Sequence, residues 1–129
     1  MGIGAAEGNA RVELVTSSDA GVTVLAVTGS VKLGESATQF GATLKRLLAE
    51  TDSGVVVDFA RLENLDSTGI GELVAAVQRF ARAGRRLALL RPPQRLEALL
   101  KLTRLEAIFP IFVDRQEALA YVGPHAGDS

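Results

Sequence analysis

The sequence predicts an α/β fold: a mainly parallel, mixed sheet of about five strands with helices packed on it. Three observations carry this expectation. Strand-like and helix-like segments alternate along most of the chain. The inner strand-like segments, Val55-Val56-Val57 and Leu87-Ala88-Leu89-Leu90, are apolar without interruption, as strands covered on both faces are. Each longer helix-like segment has one apolar stripe at 3.6-residue spacing, which needs a sheet to cover it. At 129 residues a single domain is expected.

Taken in order, residues 1–10 are rich in glycine and alanine without periodicity and are expected to form a flexible N-terminal tail. The domain is expected to span residues 11–122. Val12 to Val15 reads as a short strand, Ser17 to Gly21 as a turn, and Val22 to Thr28 as a second strand closing a hairpin. Gly29 to Gly34 is read as a loop. The helix from Ser36 to Glu50 should bury Ala37, Phe40, Leu44, Leu47 and Leu48 and expose Gln39, Thr43, Lys45 and Arg46. After the strand Val55–Val57, residues Asp58 to Leu65 are expected to cross the surface as a loop. A second helix then starts at Asp66-Ser67-Thr68, buries Ile70, Leu73, Val74, Val77 and Ala81, and stops near Ala83-Gly84. The strand Leu87–Leu90 follows. Pro92-Pro93 opens a third helix carrying Leu96, Leu99, Leu100 and Thr103 inward, since proline is tolerated in a first turn. A brief fifth strand at Ile111-Phe112-Val113 leads to a last helix capped by Asp114 and packed through Ala118, Leu119 and Val122. Residues 123–129 form a polar C-terminal tail with the single histidine, His125. The order is ββαβαβαβα.

Composition excludes several functions. A hydrophobic content of 47% with 22% charged residues belongs to a globular chain. The net charge of -1 provides no basic field for nucleic acid or an anionic membrane. Without cysteine there is no disulfide framework and no thiolate metal site or nucleophile. No apolar run approaches the roughly 20 residues that span a bilayer. No basic flank and apolar core of a signal peptide is seen, and Ala6 stands where a myristoylation signal needs serine or threonine.

Enzyme chemistry is sought without success. Gly29 to Ser36 has nearly the spacing of a phosphate-binding loop, but Glu35 occupies the lysine position and would repel phosphates. Asp58 sits as the phospho-acceptor of a response-regulator receiver does, yet the acidic pair after the first strand and the lysine after the last are missing. Asp58 is read instead as bonding nearby backbone. No histidine in the domain can activate Ser67, and no S-x-x-K spacing offers a lysine instead. Asp58, Glu63, Asp66 and Glu72 read as solvated loop charge rather than magnesium ligands. Arg79, Arg82, Arg85 and Arg86 complement a helix C-terminus, and no tryptophan accompanies them to stack nucleotide bases. No reaction, cofactor or metal is expected.

The stretch Gly54 to Gly71, GVVVDFARLENLDSTGIG, is the informative one. Serine ahead of a helix ordinarily serves as a cap. Here Gly69 and Gly71 lie in the first turn, each costing roughly 1 kcal/mol against alanine. Bare backbone at a helix N-terminus suits a phosphate or a closely approaching partner.

Asp66-Ser67-Thr68-Gly69-Ile70-Gly71, preceded by a buried strand ending in aspartate, resembles the STAS-domain family, and within it the anti-sigma factor antagonists. The similarity runs through Gly84 to Leu90, Leu102 to Leu105 and Ile108-Phe109, and covers about Val12 to Val122. It implies the STAS fold, no enzyme activity, and a cytoplasmic partner switch. An anti-sigma factor serine kinase would phosphorylate Ser67, Thr68 being the secondary candidate. The unphosphorylated form would bind that kinase and free the sigma factor, and a phosphatase acting on phosphorylated Ser67 would reset the switch. Asp66, Ser67, Thr68, Gly69, Ile70, Gly71 and Glu63 are the implied partner-binding residues, with no direct nucleic acid or membrane contact. Many family members end the second strand Gly-Glu-Leu-Asp, where this chain has Gly29-Ser30-Val31-Lys32-Leu33-Gly34. Other members serve as scaffold subunits of stress-sensing assemblies or as accessory subunits of lipid ABC transporters.

Overall fold

Residues 11–123 are described by a computed structural model of the chain. The tails expected at residues 1–10 and 124–129, His125 included, lie outside the described residues. The elements are β1 (Val12–Asp19), β2 (Val22–Val31), α1 (Glu35–Glu50), β3 (Val55–Leu65), α2 (Ser67–Arg82), β4 (Leu87–Leu90), α3 (Gln94–Leu102), a 3-10 turn (Leu105–Ala107), β5 (Ile111–Phe112) and α4 (Arg115–Val122). The five strands lie in chain order, β1 antiparallel to β2 and every other pair parallel.

This strand order decides where the helices go. Each parallel crossover steps one strand in the same direction, and right-handed crossovers then put α1, α2 and α3 on one face. α4 follows the last strand and folds over the other face. The core divides accordingly. Val55, Val57 and Phe59 of β3 and Leu87 and Leu89 of β4 pack with Phe40, Leu44, Leu73, Phe80, Leu96 and Leu100. Val56, Ala88 and Leu90 point the opposite way, onto Ala118, Leu119 and Val122. The period-2 alternation of β3 and β4 thus feeds two apolar layers.

Several boundaries differ from those expected, each for a physical reason. Ser17-Ser18-Asp19 is strand, and the turn is only Ala20-Gly21. Their φ angles of 53° and 79° are both positive, as a type I′ hairpin turn requires. β2 continues to Val31, through half of the expected loop. The largest correction is β3, which continues from Asp58 to Leu65 instead of becoming a loop. Its pairing with β2 shifts register twice, between Ala26 and Thr28 and between Gly29 and Ser30. These bulges place the buried Phe59 and Leu62 three residues apart, so the alternation that marks a strand disappears from the sequence. Thr43 is buried in α1. In α2, Ala81 is exposed, and Ala76 and Phe80 take the inward positions beside Leu73. Leu99 and Thr103 are exposed, whereas Leu96 and Leu100 hold α3 to the sheet.

Two arginines of the expected basic cluster do structural work. Arg85 Nη1 donates to the carbonyls of Leu48 and Thr51 at 3.1 and 2.7 Å, tying the end of α1 to the start of β4. Arg86 donates to the Tyr121 carbonyl at 2.9 Å and lies 4.9 Å from the Tyr121 ring centre, anchoring α4.

Candidate functional site

β2 and β3 are parallel and end together, with Val31 opposite Leu65. The chain therefore leaves both strands side by side, into the loop Lys32–Gly34 and into the Asp66-Ser67 step. Two hydrogen bonds join these exits, and a third caps the helix that follows. Asp66 N–H donates to the Val31 carbonyl at 3.1 Å. Asp66 Oδ2 accepts from Leu33 N–H at 2.8 Å, and Oδ1 accepts from Gly69 N–H at 3.0 Å. One carboxylate thus caps α2 and clamps the opposite loop.

Burial by itself would raise the pKa of Asp66. The N–H groups of Leu33, Gly69 and Thr68, with the Lys32 ammonium, outweigh that and hold the carboxyl below the usual carboxylate range. Asp66 is therefore ionised at neutral pH with both oxygens engaged, which unsuits it to serve as a base.

Ser67 is the first residue of α2 and is exposed. Capping, the ordinary reason for a serine here, belongs to Asp66. Thr68 is half-buried. The two glycines have separate explanations. A Cβ on the buried Gly69 would stand 3.0 Å from Val31 Cγ1 and 3.1 Å from Leu65 Cγ, so glycine is required by the strand ends packed beneath it. A Cβ on Gly71 would meet nothing within 4 Å. Of these two glycines, Gly71 is the one left bare without a packing reason. Ile70 is half-buried and rests on the main core.

Glu63 is exposed further back on β3 and lines a groove between the end of β3 and the start of α3. The groove holds about 600 Å³, with Leu62, Leu65, Pro93, Leu96 and Leu99 among its walls and Arg95 opposite Glu63's strand. Leu65 joins it to the Ser67 site, since Leu65 also packs under Gly69. The groove and Leu33, which is 79% exposed beside the Asp66 clamp, were not anticipated. An apolar residue in an otherwise polar loop was the available signal for Leu33. The groove had none, because its walls come from segments about thirty residues apart.

Asp58 does not join this site. Asp58 lies within β3, its Oδ1 accepting from Ala60 N–H at 3.0 Å, and its Oδ2 lies 4.0 Å from Arg115. Among the described residues, no group of three or more carboxylates or histidines is placed to hold a metal ion. None of their helices is long and apolar enough to cross a membrane.

Comparison with known proteins gives a consistent result. The family model described as Mlab, STAS domain matches residues 14–113. No curated protein matches the sequence. Among solved structures, an anti-sigma factor antagonist from Mycobacterium paratuberculosis is similar with a TM-score of 0.77 at 20% identity, covering 87% of this chain and 94% of its own. The Bacillus cell fate determinant SpoIIAA in its phosphorylated form gives 0.67 at 18% identity, with 88% and 100% covered. A chain from the Pseudomonas aeruginosa complex of the diguanylate cyclase SiaD with its activator SiaC gives 0.55 at 21% identity, with 81% and 91% covered. At these identities the structures share the fold.

Proposed function

Because the chain belongs to the STAS-domain family, we propose that it is an anti-sigma factor antagonist switched by phosphorylation of Ser67. One observation carries this reading: Ser67 is exposed at a helix start whose capping is already done by Asp66. The hydroxyl is left free for chemistry performed by another protein. Likeness to antagonists, one of them solved in a phosphorylated form, supports the same reading.

The partner is an anti-sigma factor that is also a serine kinase. In the transfer, the Ser67 hydroxyl attacks the γ-phosphorus of the kinase's ATP, the bond to the departing ADP breaks, and the hydroxyl proton leaves. The product carries about -1.5 to -2 charges at neutral pH. The N-terminus of α2 favours that charge by roughly 0.3–1 kcal/mol, while the fixed Asp66 carboxylate opposes it. These terms offset, so the fold is retained and the effect falls on the interface. A partner seated over Ser67 and the open Gly71 would have to desolvate the phosphate. A phosphatase restores the hydroxyl. The switch operates in the cytoplasm, without a cofactor and without catalysis by this chain.

The likeness to a chain of a cyclase–activator complex supports a second reading, in which the same surface docks as a subunit of a standing assembly. Calorimetry against the kinase from the native host separates the two. Ser67→Ala should resist phosphorylation and bind as wild type does, while Ser67→Asp should bind at least about tenfold more weakly with an unchanged circular dichroism spectrum. Equal affinity of Ser67→Asp and wild type would contradict the switch.

A further inference from the structure

We propose that Lys32 is the charge partner of a phosphate on Ser67, so that phosphorylation draws the Lys32 ammonium off the partner-facing surface. The proposal deepens the Ser67 reading and rests on it.

Placement is the first argument. Val31 and Leu33, on either side of Lys32, are each hydrogen-bonded to Asp66, through the Val31 carbonyl at 3.1 Å and the Leu33 N–H at 2.8 Å. Lys32 is therefore held opposite the Asp66-Ser67 step by bonds on both sides. Its own backbone is fixed too, because Ser36 Oγ accepts from Lys32 N–H at 2.9 Å and donates to the Lys32 carbonyl at 3.1 Å. A side chain on so anchored a backbone loses only its own rotamer freedom on pairing.

Charge is the second. Within residues 30–36 and 63–72, Lys32 is the single lysine or arginine, against the carboxylates Glu35, Glu63, Asp66 and Glu72. It takes no part in the ion pairs found among the described residues. Both oxygens of neighbouring Asp66 are already taken by N–H groups. A phosphate on Ser67 would thus meet a fixed anion beside it and one uncommitted cation across from it. Opposite charges held close together near a surface attract each other despite the solvent. A dianion pairs better than the carboxylates on offer. Once paired, the ammonium cannot serve an acidic group of a docked partner. Phosphorylation then removes one attraction from the interface while adding a bulky charge to it.

An alternative cation is Arg95, across the groove that Leu65 shares with the site. The full-length chain with phosphoserine encoded genetically at position 67 tests between them, by phosphorus-31 NMR titration of the phosphate. A paired cation favours the dianion and lowers the second pKa of the phosphate. Lys32→Gln should raise that pKa by about 0.5 unit or more relative to the wild-type background. Lys32→Arg should keep it low, and Arg95→Gln should leave it unchanged. Wild-type values in Lys32→Gln, or the rise appearing in Arg95→Gln, would overturn the proposal. Because the phosphoserine is installed without a kinase, this outcome is independent of where the native kinase acts. A natural phosphate mapped elsewhere would overturn the functional reading alone.

Discussion

α1 and α2 both start where a parallel strand ends, both have a serine in the first turn, and the two serines have opposite fates. At α1 the cap position is Gly34, with φ of 113° and no side-chain cap. The buried Ser36 turns back to bond both the N–H and the carbonyl of Lys32. At α2 the cap is Asp66, and Ser67 stays exposed. A helix start needs partners for its free N–H groups. Where glycine occupies the cap, the nearby serine is drawn into the loop. Where aspartate occupies it, the serine is released. The residue at the cap position thus separates a structural serine from an available one.

The largest effects should come from the core and treat the two helices alike. Leu44→Ala in α1 and Leu73→Ala in α2 each remove a fully packed side chain, and each should cost about 2–5 kcal/mol in denaturant titrations. Leu99→Ala, on the exposed side of α3, should cost far less. A cheap Leu73→Ala would mean that α2 is held by its cap rather than by its face.

The caps should come next, and here the helices should diverge. Asp66→Ala removes the cap of α2 and the clamp on Leu33 together, for about 1–3 kcal/mol. The folded-state pKa of Asp66 lies below its unfolded value. Its contribution is therefore complete above the unfolded value and is lost as pH falls through the folded one. Acid unfolding below about pH 4 should accordingly be steeper in wild type than in Asp66→Asn. Parallel acid limbs for the two proteins would show that the carboxylate charge does not hold the clamp.

Smaller still is the contrast between two glycines. Gly69→Ala should destabilise, because its methyl group would press on Val31 and Leu65. Gly71→Ala should stabilise by about 0.5–1 kcal/mol, because the helix gains propensity and nothing is struck. Thermal melts with the same sign for both would break the distinction between a glycine required by packing and one kept bare for a partner.

Much of this was legible in the sequence. The strand-helix alternation, the two-sided burial of Val55–Val57 and Leu87–Leu90, and the break at Asp66 are local signals. Local signals survive folding when periodicity is regular. They failed at Asp58–Leu65, where two register shifts erase the alternation. The site was half readable. Asp66 to Gly71 stood out as a segment, but three capping-type residues in a row did not reveal which one caps. That choice is made by Leu33, thirty-three residues earlier, which Asp66 reaches only because β2 and β3 are parallel and end in register. The meaning of Gly69 was hidden for the same reason, since Val31 packs against it from another strand.

The released serine is the centre of the account, and mapping phosphate in the protein isolated from its own cells tests it most directly. Mass spectrometry should place a single phosphate on Ser67 of the wild type, none on Ser36, and none at all in a Ser67→Ala strain. Phosphate found on Ser36 or elsewhere, with Ser67 unmodified, would contradict it.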